Sequence, residues 1–385
     1  MRATLQHELK QVGRKIERSI KHFFQNIFFS VKPPVACVKT QDYSKANPGT
    51  EYRILNPEHY IERKMPITID EKVHDNFLEA RRFLSPATFI LSLHNGLAYG
   101  DRAVITEENI ILSEVSIVFG ATADDHPLCH RGLMPQPKYF PDTVAVLASA
   151  GSDNYFHWLF EILPRLGLLN QGPYVDKYYV GCSRPFQRQY LELLGISENM
   201  VIPANRKSFI KTNKLVVPSL PGFSGNPTLQ TCKFLRNLAK RPGVVRNKSV
   251  KKRIYISRKD SGSRRIADED SVFEILEPMG FYRVELSSLL VSEQISLFKE
   301  ADVIIAPHGA GLSNIVYCDK GTKILEIFDP SYVNVCYWTI ANQCQLEYYY
   351  LISRERDSEE GNGNMQSYIF VDLEVFKKML KLMDL

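Results

Sequence analysis

At 385 residues the chain exceeds a single ordinary hydrophobic core, so two domains are the default expectation. An apolar share of 44% and a charged share of 24% are those of a globular protein and exclude collagen-like, low-complexity and disordered classes. The net charge of +5 lies in residues 1–32, where seven Lys and Arg face two Glu, and the neutral remainder offers nucleic acid no basic excess.

In residues 1–32, Leu5, Leu9, Val12, Ile16, Ile20, Phe23, Ile27 and Phe28 recur mostly at three- and four-residue steps beside the cations, which predicts a basic amphipathic helix. Such a helix suits an anionic membrane surface, and equally a packing face on the second domain or on a partner. It is too charged and periodic for a signal peptide, and no apolar run reaches the length of a spanning helix. The expectation is a cytoplasmic protein, peripheral on the inner face of the membrane if the membrane reading holds. Residues 33–240 are expected to form an N-terminal α/β domain. Short alternating runs over 83–140, punctuated by Asn95-Gly96 and Tyr99-Gly100-Asp101, predict extra β-hairpins. A strand over 144–147 precedes a helix over 153–163, stopped near Pro164. Strands over 178–180 and 215–217 flank a helix over 185–194. Arg241-Pro242-Gly243 and the basic tract 246–253 predict a hinge near residue 240.

Residues 241–350 read as a Rossmann-like domain. Short apolar strands over 254–257, 282–286, 303–306 and 323–328 alternate with helices over 268–277 and 292–301, the pattern of a doubly wound parallel sheet. A tyrosine-rich strand over 347–352 and a hydrophilic loop over 353–364 follow, then a last strand and a helix from Asp372. Residues 351–385 are expected to pack back on the N-terminal domain.

In such sheets ligands bind beyond the carboxyl ends of the strands, and helix N-termini suit phosphate. Arg258, Arg264 and Arg265 follow the first strand, and His308-Gly309-Ala310-Gly311-Leu312 follows the third. Gly309 and Gly311 permit close backbone approach. Glu326 lies inside an otherwise apolar strand, where a carboxylate needs a partner: a ligand hydroxyl or an arginine. Seven scattered cysteines without a Cys-x-x-Cys pair read as free thiols, and Asp124-Asp125 as turn chemistry. There is no Gly-x-Gly-x-x-Gly after a strand and no Walker loop, which argues against a dinucleotide dehydrogenase and a P-loop phosphotransferase.

Ser257-Arg258, the Arg264-Arg265 pair, the His308–Leu312 turn with Asn314 behind it, and Leu325-Glu326-Ile327-Phe328 resemble the family 61 glycosyltransferases. Asn154-Tyr155-Phe156-His157-Trp158-Leu159 with Leu163-Pro164-Arg165 is similar to the N-domain signature of the prokaryotic-type branch, although some members carry an acidic residue where Trp158 stands. The resemblance implies a GT-B-like fold, two Rossmann-like α/β domains facing across a cleft. It implies inverting sugar transfer from a nucleotide-sugar donor, itself a substrate, with no cofactor and no metal. Residues 33–240 become the acceptor side, and the acceptor is a glycan or lipid-linked glycan in surface polysaccharide or glycoconjugate assembly. Arg258, Arg264, Arg265, His308, Gly309, Ala310, Gly311, Asn314 and Glu326 become donor-binding residues. His157, Asp153 and Glu161 are the candidates for the base, with Asp153 able to act itself or to orient His157. The alternative is a non-catalytic membrane-surface protein of the same fold that binds a nucleotide sugar or glycan.

Overall fold

The computed structural model describes residues 30–120, 125–242, 244, 252–354 and 368–385. The expected amphipathic helix, most of the basic tract at 246–253 and most of the loop at 353–364 therefore lie outside the described residues. Two main sheets organise the rest.

The first sheet contains β1 (Ala36–Val38), β2 (Glu51–Asn56), β3 (Thr88–His94), β4 (Leu97–Tyr99), β5 (Ala103–Ile105), β6 (Ile110–Leu112), β7 (Lys138–Val146), β8 (Lys177–Val180), β9 (Val201–Pro203) and β10 (Phe209–Pro218). Its parallel half runs β9-β8-β7-β10. Strands β3 and β4 join antiparallel along the far edge of the ten-residue β10. The expected hairpins are thus an extension of the main sheet. Arg165, wholly buried, binds the carboxyl ends of its parallel strands together: its guanidinium donates to the carbonyls of Leu147 (3.1 Å), Ala148 (3.2 Å) and Pro218 (3.1 and 2.5 Å). Burial pushes its pKa down to about 9.

The second sheet is wholly parallel: β11 (Arg253–Ile256), β12 (Phe281–Val284), β13 (Val303–Pro307), β14 (Lys323–Phe328) and β15 (Glu347–Ile352), in spatial order β12-β11-β13-β14-β15. Its strands are apolar on both faces because both are covered. Residues of even number (Ile254, Ile256, Ile304, Ala306, Ile324, Phe328, Tyr348, Tyr350) enter the core shared with the first half, while Tyr255, Val303, Ile305, Leu325, Ile327, Tyr349 and Leu351 face the opposite way. On that opposite face lie α1 (Glu269–Leu276) and the terminal α2 (Leu373–Leu382), through Val272, Leu276, Phe376, Met379 and Leu380. The C-terminal helix therefore packs on the second sheet and not on the N-terminal region, as the apolar stripe of α2 matches the odd-numbered face.

The halves interlock. Leu147, Phe156, Trp158 and Leu235 share one buried cluster with Ile254, Ile304, Phe328 and Trp338. The segment around Lys64–Phe77 also leaves the N-terminal half to lie along β15: Ile67 N–H donates to the Tyr348 carbonyl (2.9 Å) and its own carbonyl accepts from Tyr350 N–H (3.0 Å). Trp338 Nε1–H donates to the Lys64 carbonyl at 2.9 Å.

Candidate functional site

Strand order β12-β11-β13 makes the chain leave β11 toward one side and return to β13 on the other, which opens a crevice at their carboxyl ends. Ser257-Arg258 follows β11 and His308–Gly311 follows β13, so the two motifs meet. Arg258 Nη1 occupies the place where a side chain on Gly309 would begin, 1.8 Å from an ideal Cβ. Its other nitrogens lace the loop: Nη2 donates to Ser261 Oγ (2.6 Å) and the Ser263 carbonyl (3.0 Å). Burial, with the charge of Arg264 next, lowers the Arg258 pKa. An anion bound here would oppose both effects.

Arg264 sits at φ 54°, in the left-handed region, with its guanidinium 5.1 Å from the Tyr332 ring. Its Nε is buried without a hydrogen-bond partner among the described residues. Strain and an unmet donor in one residue are features of ligand sites. Arg265 differs: it lies in a two-residue strand paired with Tyr368–Ile369, and its Nε donates to the Ser261 carbonyl. It braces the loop.

Beyond Gly309 the chain forms a 3₁₀ helix, Ala310–Tyr317. An alanine Cβ at Gly311 would come 2.8 Å from Leu286 Cδ1, so the tight corner is needed for packing at the crevice wall. Two expected donor ligands are already satisfied inside the protein. Glu326 accepts from Tyr348 Oη and pairs with His308 Nδ1, all three buried. It is thus neither arginine-paired nor open to a hydroxyl; it holds the His308 imidazole, which is ringed by Phe328, Tyr332 and Tyr337 at 5.1–5.4 Å. Burial first, then the charge of Glu326, raises the Tyr348 pKa and keeps that phenol a donor. Asn314, also buried, accepts from Tyr155 Oη (2.7 Å) and donates to Gln294 Oε1 (2.9 Å), a bridge between halves.

The N-terminal contribution begins at Asn154. Its side chain accepts from the N–H groups of Phe156 (2.9 Å) and His157 (3.4 Å), so Asn154 is the N-cap and the helix starts at Tyr155, two residues later than expected. Asp153 then lies outside the helix. It accepts from Ser183 Oγ at 2.9 Å, near Arg184, and does not orient His157. Glu161 does: His157 Nδ1 and Glu161 Oε1 are 2.8 Å apart, and Ser224 Oγ donates to the same oxygen at 2.6 Å. The Glu161 side chain is 7% exposed and that of His157 22%. With the carboxylate accepting, the proton resides on Nδ1 and Nε2 is left as the basic nitrogen. A π-turn, Trp158–Ile162, runs beneath this pair.

Rings connect the two constellations: His157 to Phe156 (5.6 Å), Phe156 to Tyr337 (6.0 Å), and Tyr337 to His308 (5.1 Å). Between the halves a cleft of about 390 Å³ is lined by Tyr155, Phe186, Arg258, Leu286, Ala310 and Gly311 among others. A larger cavity of about 810 Å³, among Cys182, Leu191, Ile196 and Val201, includes none of the expected site residues. Tyr155, Ser224, Tyr332 and Tyr337 were not among the sequence candidates. Each is joined to the site by contacts distant in sequence, and no local spacing announces them. Among the described residues no group of His, Cys, Asp or Glu is arranged to hold a metal ion.

The features define an α/β protein with a parallel sheet, a crevice at its switch point and a histidine–carboxylate pair on the N-terminal half. Residues 155–325 match the family model described as Glycosyltransferase 61, a stretch holding His157, Glu161, all three arginines and the glycine turn. This stretch is a glycosyltransferase family 61 domain, and the protein is a glycosyltransferase. The comparison with curated proteins returned no match.

Proposed function

We propose that this protein is an inverting GT-B glycosyltransferase of the prokaryotic-type branch, moving a sugar from a nucleotide-sugar donor to a hydroxyl of a glycan acceptor. The observation that carries it is the seating of Arg258 on Gly309 at the switch point, in a cleft whose other wall comes from the N-terminal half. A leaving nucleoside diphosphate gains negative charge as the glycosidic bond breaks. Arg258 and Arg264, with the amides of the 309–311 turn, supply the compensating charge and donors, so no metal is required. His157 Nε2 takes the proton of the acceptor hydroxyl while the oxygen attacks the anomeric carbon opposite the diphosphate; Glu161 stabilises the imidazolium. His308, fixed by Glu326, is the further donor toward the diphosphate or sugar.

The acceptor side supports assembly of a surface polysaccharide or glycoconjugate. Residues 1–32 carry the cations and apolar stripe that would hold a cytoplasmic enzyme on an anionic inner leaflet, next to a lipid-linked glycan. Thermal-shift screening of the full chain with a panel of nucleotide sugars tests the donor assignment, since a ligand of the native state raises the midpoint. Absence of any shift across uridine, guanosine, cytidine and thymidine diphosphate sugars counts against it. Cosedimentation with anionic liposomes, with and without residues 1–32, tests the membrane reading.

A further inference from the structure

Resting on the assignment of His157 as base, we propose that Phe119 is the stacking wall for the sugar ring of the acceptor, with Phe223 as a second, flanking aromatic. The Phe119 ring lies 5.2 Å from the His157 imidazole at an interplanar angle of 45°, and the residue is 55% exposed. Phe223 is 64% exposed on a turn closed by pairing with Asn226, and the next residue, Ser224, donates to Glu161. Two large apolar side chains thus stand open to solvent within one contact, or one residue, of the histidine–carboxylate pair. Neither is needed to fill a core.

The occupant follows from the chemistry beside them. The acceptor hydroxyl is to reach Nε2, so the ring that bears it lies against the imidazole, beside which Phe119 stands. A pyranose presents a face of C–H bonds, which an aromatic face binds, and a rim of hydroxyls, which suit the neighbouring polar groups: Ser224, and the Asp153–Ser183 pair two residues from Gly151, where an added Cβ would come within 3.1 Å of the imidazole. An acyl chain or an apolar peptide helix would require a continuous apolar groove, whereas these are two single aromatic residues on separate loops.

The test uses the full chain and saturation-transfer NMR with methyl pyranosides of gluco, galacto and manno configuration. Wild type should saturate the protons of one ring face most strongly. Phe119→Leu and Phe119→Ala should weaken the dissociation constant about three- to tenfold, Phe119→Trp should keep or tighten it, and nucleotide binding should not change. Phe223→Ala should have the same sign and a smaller size. The proposal fails if Phe119→Leu binds like wild type, or if wild type binds none of the pyranosides. Loss of turnover in His157→Ala alongside unaltered pyranoside binding in the Phe119 variants would remove the stacking wall and leave the base. Retained turnover in His157→Ala would remove the base whatever Phe119 does.

Discussion

Arg258 and Gly309 act as one unit, and this makes a substitution without charge change informative. An alanine at Gly309 would collide with the guanidinium, not with backbone, and Gly309 itself has extended backbone at φ 176°. Gly309→Ala should therefore leave the melting temperature nearly unchanged while pushing Arg258 away and weakening nucleotide binding. Arg258→Ala should weaken it by about 1.5–3 kcal/mol, the worth of a hydrogen bond to a charged group, or roughly ten- to hundredfold. Calorimetric titration with the nucleoside diphosphate reads both; wild-type affinity in Gly309→Ala would dissociate the arginine from the ligand. On the other side of the cleft, His157→Ala should lower turnover by about 10²–10⁴-fold with donor affinity retained. Glu161→Gln should lower turnover and shift its pH profile, because an amide cannot stabilise the imidazolium as a carboxylate does. Asp153→Ala should leave turnover near wild type, and a loss there equal to that of His157→Ala would restore Asp153 as the base.

The helix bearing the dyad shows what the sequence made legible and where it stopped. Asp153 and Asn154 are both of the residue types that cap helices, so a helix start is legible here while its first residue is not. The structure settles on Asn154, which turns Asp153 outward and leaves the i, i+4 pair His157–Glu161 as the interacting one. Asn154→Ala should cost about 1 kcal/mol in urea unfolding and loosen the imidazole it positions. The strands of the second sheet are legible because their short apolar runs are local. Glu326 was recognisable as a buried carboxylate needing a partner. That the partners are His308 and Tyr348 depends on the register of β13, β14 and β15, which no single segment encodes. Arg264 and Arg265 likewise read as a pair, yet Arg264 sits in a left-handed turn against Tyr332, while Arg265 begins a short strand and reaches Ser261.

At the scale of the molecule, the expected cut near residue 240 divides the chain but not its core. Phe77, from the N-terminal half and wholly buried, stacks on Tyr350 of β15 at 4.6 Å and meets Trp338 edge-on at 5.3 Å. Its segment is polar and irregular in sequence, so nothing local marks it as a partner for the last strand of the second sheet. The consequence is energetic coupling between halves. Removing the ring in Phe77→Ala should cost about 3–5 kcal/mol, as for other buried phenylalanines. That loss should appear in β15 as well as near residue 77. Hydrogen exchange at the amide of Tyr350 should accelerate together with that of Ile67, because these two N–H groups donate across the same pair of segments. With a core continuous from Leu147 to Trp338, calorimetry should give one transition whose van't Hoff and calorimetric enthalpies agree. Two resolved transitions, with Phe77→Ala moving only one, would mean that the halves fold independently and that the cleft between them is set by a hinge and not by shared packing.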